Sequence, residues 1–421
     1  MVIKIKKNIN YVFLIFVLLM DNCLYLVNTD LIHITGSFAY SDIWLIAFIL
    51  YFFWQYIKNI KRPMNGKYKQ KFLVCALCIL VVISALQQTR LTGQSLNMGI
   101  RPQRNYLIIL LAYFPIRKLM DLKKISIEHL FLGLMKLGTI AACFYITQKL
   151  LYPNIQFIYA GMAYRNGTLR MYIETSVIQF AGMMSIYYFC NSYKFKYLIY
   201  YLLNFIDIFW VGQGRLEIIS FFVATIIGIF FTKKLNKKRI LVIIFGILLV
   251  VIFLNSSFSD SLWKAILSAD TASTEAGNTM KIRYLGRKRY FEQITASIST
   301  LLFGCGYPNA LYAPAANKAG YNININLNDN GIWGFTYIYG IIGLVLMLIL
   351  FIKMLYQAFC VYRETNNNFY IMYLSILGIL AYNVIMWYWY AGGTFILIIF
   401  MCALEEQVAN INKKKSVIKG G

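Results

Sequence analysis

Long apolar runs broken by short polar ones dominate this chain. A helix of roughly 20 apolar residues crosses about 30 Å of hydrocarbon, and reading the runs in order predicts about twelve such spans. They fall near 11–29, 40–57, 72–89, 105–120, 128–150, 172–191, 197–212, 215–232, 239–255, 332–355, 369–387 and 390–405. The expected fold class is an all-α polytopic membrane protein with about twelve transmembrane helices and one long, partly helical external loop. Four regions follow: helices 1–9 within 1–255, the loop at 256–331, helices 10–12 within 332–405, and a basic tail at 406–421.

Composition narrows the class further. The chain is 60% hydrophobic and only 14% charged, too apolar for an ordinary soluble domain. Its net charge of +25 is divided among many loops separated by spans, so no single face could track a nucleic-acid duplex. Anionic lipid on one side and an anionic ligand on the other are the expected partners. Seven of the eight cysteines lie in or at the ends of apolar runs, only Cys305 falls in the long loop, and no disulfide framework follows; Cys75 and Cys78 lack further metal-ligating neighbours.

Lysine sets the orientation. Every second connection is Lys-rich: 58–71, then Lys118, Lys123 and Lys124, then Lys194 and Lys196, then 233–239, and finally Lys413–Lys415. Basic residues are retained on the cytoplasmic face, so these loops and both termini are expected inside. The first span has no small-residue cleavage site and reads as an anchor.

Arginine follows the opposite pattern. Arg90, Arg101, Arg104, Arg165, Arg170, Arg215, Arg283, Arg287 and Arg289 fall on the other side, nine of thirteen arginines against about five of twenty-eight lysines. Solvated loop charges are the plain alternative. Arginines that accumulate where insertion disfavours them point to a binding task, and their planar fork matches phosphate or carboxylate oxygens.

Two parts of 256–331 read as helical, Ser259–Asp270 and Lys281 to about Leu302. At 100° per residue Arg283, Arg287, Tyr290, Phe291, Ile294 and Ile298 share one face, and Arg289 points elsewhere. Guanidiniums on a packing face need a ligand or an acidic partner, unless the helix simply snorkels at the interface.

Arg287-Lys-Arg-Tyr-Phe291, Ala296 and Leu301-Leu-Phe-Gly304-Cys-Gly306 resemble the Arg, aromatic, small-apolar and Gly-x-Gly run in the large periplasmic loop of the O-antigen ligase and Wzy-type polysaccharide polymerase superfamily. Gly212-Gln-Gly-Arg215-Leu is similar to its Gly-Arg turn, and Asn328-Asp-Asn330 with Tyr339-Gly340-Ile-Ile-Gly343 to the stretch entering the next span. Ligases commonly carry a His where this chain has Asp329, and its only histidines are His33 and His129. The polymerase branch is therefore preferred over the ligase.

The resemblance implies a GT-C-like membrane glycosyltransferase of the bacterial cytoplasmic membrane. It would join polyprenyl-pyrophosphate-linked glycan units, donor and acceptor, into a capsule or O-antigen polymer, working beside a flippase and a chain-length regulator. Breaking the glycosidic bond accumulates charge on a pyrophosphate, which fixed arginines stabilise without metal or cofactor. Arg215 and Arg287 are expected in catalysis, with Arg283, Arg289, Arg165, Arg170, Arg101, Arg104 and Glu217 binding substrate. Glu217 and Glu174 could equally pair with Arg215 and Arg170. Asp329 is expected to steer or deprotonate the acceptor hydroxyl, or else to cap the following helix. A ligase, a lipid-linked oligosaccharide flippase and a scaffold are the competing classes.

Overall fold

A segment that cannot hydrogen-bond to water must satisfy its backbone internally, and the apolar runs of this chain accordingly form helices. The computed structural model describes residues 9–20, 22–28, 40–64, 68–165, 168–231, 275–381 and 391–420. The expected span at 239–255 and the expected helix Ser259–Asp270 lie outside the described residues.

In chain order the helices are α1 (Ile9–Met20), α2 (Tyr40–Lys58), α3 (Lys71–Thr92), α4 (Arg104–Asp121), α5 (Ile127–Leu151), α6 (Ser176–Ser192), α7 (Phe195–Ile206) and α8 (Arg215–Phe230). They continue as α9 (Glu275–Thr295), α10 (Ile298–Phe303), α11 (Gly331–Thr365), α12 (Phe369–Leu380) and α13 (Ala391–Gly420). Among the described residues four helices are long and apolar enough to cross a membrane: Lys71–Thr92, Ile127–Leu151, Asn328–Thr365 and Phe395–Ser416. Leu50, Phe72, Phe230 and Ile352 are exposed on helix surfaces, an exterior suited to lipid rather than water. The fold is that of a mostly helical membrane protein.

Boundaries differ from the expected ones where polar signals are weak. The first run is interrupted after Met20 by a left-handed turn at Cys23, Leu24 and Tyr25. The run at 197–212 ends in a π-turn, Asp207–Gly212. Helix α13 continues through the basic tail to Gly420, where Lys415 pairs with Glu364 at the end of α11.

Among the described residues one element breaks the all-helical pattern. Gly161–Arg165 (β1) and Thr168–Tyr172 (β2) form an antiparallel hairpin between α5 and α6. Along β2, Leu169 and Met171 are buried while Thr168 and Tyr172 are exposed, the period-2 alternation of a half-buried strand. The expected span beginning near 172 therefore starts only at Ser176.

Aromatic rings fill the centre. Phe13, Phe48, Phe52 and Phe395 interlock on one side, and Phe131, Phe180, Phe369, Tyr373 and Phe400 on another. Helix α4 is bolted to α13 by charge. The fully buried Arg117 donates to Glu405 at 3.2 Å and Glu406 at 2.8 Å, with Asp121 at 3.8 Å. The Tyr113 hydroxyl donates to Glu405 at 2.9 Å, and Lys123 pairs with Glu406.

The segment from Ser297 to Tyr312 is locked to two helices. Cys305 N–H donates to the Tyr337 carbonyl at 2.6 Å and Gly306 N–H to the Ile338 carbonyl at 3.2 Å. These carbonyls precede Gly340, whose dihedrals (φ 66°, ψ −168°) interrupt α11. Across the bundle Gln87 donates to the Ser299 hydroxyl, Gln94 to the Tyr307 carbonyl, and the Tyr312 hydroxyl to the Thr92 carbonyl.

Candidate functional site

Local sequence places the arginines in two groups. The first lies where the hairpin meets the start of α8. Arg170 projects from β2, donates from Nε to the Gly212 carbonyl at 2.9 Å, and lies 4.9 Å from the centre of the Tyr172 ring. Gln213, in a left-handed conformation, ties the same turn together by donating to the carbonyls of Leu169 and Trp210, each at 3.1 Å.

Arg215 and Glu217 occupy the first turn of α8. The Glu217 carboxylate folds back over Gly214, where an added Cβ would sit 2.6 Å from Oε2. It faces Thr175 and lies within the field of Arg170. An acid at this helix position also complements the free N–H groups and the dipole. Glu174 sits alongside, before α6, and accepts from the backbone and hydroxyl of Ser176. Burial pushes its carboxyl up to about 7, with the nearby Glu217 charge adding to the shift.

Beneath this group lie two buried ionisable side chains that the sequence alone does not assign to the site. Lys149 donates to the Trp210 carbonyl and stands 4.6 Å over the Trp210 ring. Asp207, fully buried in the π-turn, has no hydrogen-bond partner for either carboxylate oxygen among the described residues. π-turns inside helices are frequent at functional sites, and this one carries the only acid within 195–212.

The second group is built by α9 against the turn Asn328–Asp329–Asn330. Arg283 approaches Asp329 at 3.8 Å, and both side chains are partly exposed. Arg287 follows one turn later, half-buried. Gly286 lies between them because Asn330 packs on it: an added Cβ would stand 2.9 Å from Asn330 Nδ2. Tyr290 continues the face, fully buried, its ring 4.7 Å from that of Tyr337. Burial holds its hydroxyl well above the usual tyrosine range.

Helix α9 ends at Thr295, and a capping box of Ser297 and Thr300 starts α10. The restart resets the helical phase, so Ile298 is 78% exposed rather than packed with Tyr290 and Ile294. Phe291, before the break, is exposed because it stands at the edge of the face, about 80° round from Arg283. Arg289 points away from Arg283 as expected, but its guanidinium is engaged by the chain itself. It donates to the Lys318 carbonyl at 3.0 Å and the Asn317 carbonyl at 2.7 Å.

The remaining candidates are dispersed. Arg104 is paired with Asp42 on α2 through two guanidinium nitrogens and also donates to the Arg101 carbonyl at 2.8 Å. Arg101 begins the turn before α4, half-buried. Arg165 closes β1 in register with Thr168. Asp329 is not the cap of α11. Asn330 holds that position, its side chain makes no capping bond, and its Nδ2 donates instead to the Asn326 carbonyl at 2.8 Å.

No family model and no curated protein matches the chain. The chain holds two guanidiniums on the half-buried face of α9, an acid beside one of them, and a platform of backbone contacts that fixes the loop on the helices.

Proposed function

We propose that the protein is a metal-independent membrane glycosyltransferase that lengthens polyprenyl-pyrophosphate-linked glycan, with about twelve spans and the arginine-bearing loop on the outer side. The pair Arg283 and Asp329, with Arg287 one turn along, carries this reading. Two half-buried guanidiniums suit a pyrophosphate leaving group, because charge developing on its oxygens meets donors already in place. A carboxylate next to them suits the other half of the reaction, in which an acceptor hydroxyl must lose its proton. Arg215 and Arg170, held by the hairpin and the start of α8, would serve the same phosphates or the sugar next to them.

In this reading Asp329 orients the acceptor hydroxyl, the hydroxyl oxygen attacks the anomeric carbon, and the lipid pyrophosphate departs. The released proton passes to the carboxylate. Polyprenyl-pyrophosphate glycan is both donor and acceptor, so the product stays on a lipid carrier.

Purified protein in liposomes with lipid-linked repeat units should convert short glycans into a ladder of longer ones, in the presence of a chelator as well as without it. Movement of unchanged glycan across the bilayer would mark a flippase, and single-step transfer to a different acceptor lipid would mark a ligase. The orientation is tested by Asn317→Cys, an exposed position. It should react with a membrane-impermeant maleimide from outside the cytoplasmic membrane, and labelling only after the membrane is broken would reverse the assignment.

A further inference from the structure

Around Asp329 four buried polar atoms have no hydrogen-bond partner among the described residues: Tyr290 Oη, Asn328 Oδ1, Asn330 Oδ1 and Arg283 Nε. Buried polar groups are normally paired, because leaving one unmade forfeits its hydration without return. These four belong to two adjoining elements, the α9 face and the Asn328–Asn330 turn. Tyr290 and Asn330 are at 0% and 1% exposure, so neither is an incidental surface group. The amide of Asn330 is oriented, since Nδ2 is used on the Asn326 carbonyl and Oδ1 is left over. Asp329 lies close enough for its charge to act on the Tyr290 hydroxyl.

The mixture identifies the ligand class. Arg283 Nε only donates, the two asparagine Oδ1 atoms only accept, and the tyrosine hydroxyl does both. A phosphate or pyrophosphate offers acceptors alone and would be repelled by two carbonyl oxygens. Sugar hydroxyls each donate and accept, and neighbouring hydroxyls on a pyranose present that alternation at close spacing. We propose that Tyr290, Asn328 and Asn330, with Arg283 Nε, form a subsite for the hydroxyls of the acceptor sugar, holding its reactive hydroxyl at Asp329. The inference rests on the glycosyltransferase reading and divides its labour: Arg287 and the terminal nitrogens of Arg283 face phosphate, and Arg283 Nε with the amide and phenol atoms faces sugar.

The test uses the full-length protein in detergent with two variants that keep shape but lose the polar atom, Tyr290→Phe and Asn328→Leu, and free oligosaccharide released from the lipid-linked repeat unit by mild acid. Wild-type protein should be thermally stabilised by millimolar oligosaccharide, and each variant should need about tenfold more for the same shift, the loss expected for one hydrogen bond. In the lengthening assay Tyr290→Phe should raise the acceptor concentration for half-maximal rate by a similar factor, more than it lowers the maximal rate. If wild type and both variants respond alike to oligosaccharide, or none responds, the four atoms serve only internal water and the subsite is wrong. Stabilisation lost in the variants without any lengthening by wild type would keep the subsite and overturn the polymerase reading.

Discussion

Gly304 and Gly340 meet backbone to backbone: a Cβ on Gly304 would stand 2.6 Å from Gly340 N, and one on Gly340 would stand 2.3 Å from the Leu302 carbonyl oxygen. Both have positive φ, 76° and 66°. The contact lets the chain at Cys305 and Gly306 satisfy the carbonyls that the break in α11 releases. A side chain at either position would push the loop off the helix. Gly340→Ala should cost about 3 kcal/mol or more, combining dihedral strain with overpacking. Gly161→Ala, which meets only ordinary contacts at 3.5 Å, should cost less than about 1 kcal/mol. Thermal unfolding in detergent measures both, and equal losses would remove the interlock as the cause.

Arg283 and Arg287 should separate from Arg289 in assay. Alanine at either of the first two should abolish lengthening with little change in melting temperature, and lysine should rescue poorly because it lacks the bidentate fork. Arg289→Ala should instead destabilise by about 2 kcal/mol, the worth of charged hydrogen bonds to the Asn317 and Lys318 carbonyls. Full activity of Arg287→Ala at matched protein level would take that residue out of the site. Lys69 and Lys413, both exposed, should be silent when changed to alanine.

Asp329→Asn isolates the proton-accepting role. The pair with Arg283 is long and half-exposed, so its loss should shift stability by no more than about 0.5 kcal/mol. Lengthening should fall by about two orders of magnitude, the usual contribution of a positioned general base. A variant that keeps its rate would leave Asp329 as a partner for Arg283 and nothing more.

Glu174 gives the fold a pH dependence. Its pKa rises on folding from 4.5 to about 7, chiefly through burial. Between those values the native state binds more protons than the unfolded one, so stability falls as pH climbs through the window. Melting temperature should decline from about pH 5 to about pH 8 in the parent protein, and Glu174→Gln should flatten that slope. An unchanged slope would assign the titration elsewhere.

Much of the helical framework was legible because apolar runs have few other ways to satisfy their backbones. The hairpin was not read, although Asn166-Gly167 between alternating residues is a strong hairpin signal. Its strands are short and adjoin the apolar run that begins at Ser176, so length and hydrophobicity extended the helix backwards over Tyr172. On α9 the 100° periodicity located Arg283, Arg287, Tyr290 and Ile294 correctly on one face, but not Phe291, which falls at the edge of that face and is exposed, nor Ile298, where Ser297 restarts the helix. The fate of Arg104 and Arg289 could not be read at all, since their partners Asp42 and the 317–318 carbonyls are distant in sequence. The sequence places Tyr290 on the α9 face and Asn330 in the motif before α11 but gives neither a site role, because an amide and a phenol carry no charge pattern and only their unmade hydrogen bonds set them apart.

The bolt between α4 and α13 orders the assembly of the chain. Glu405 and Glu406 follow their cationic partner Arg117 by nearly 300 residues of chain. Two carboxylates at the end of an apolar run resist burial until a guanidinium is already in position to receive them. Docking of α13 is therefore conditional on α4: where α4 is misplaced, Glu405 and Glu406 meet no counter-charge from Arg117 and no hydroxyl from Tyr113, and burying them becomes too costly for α13 to pack.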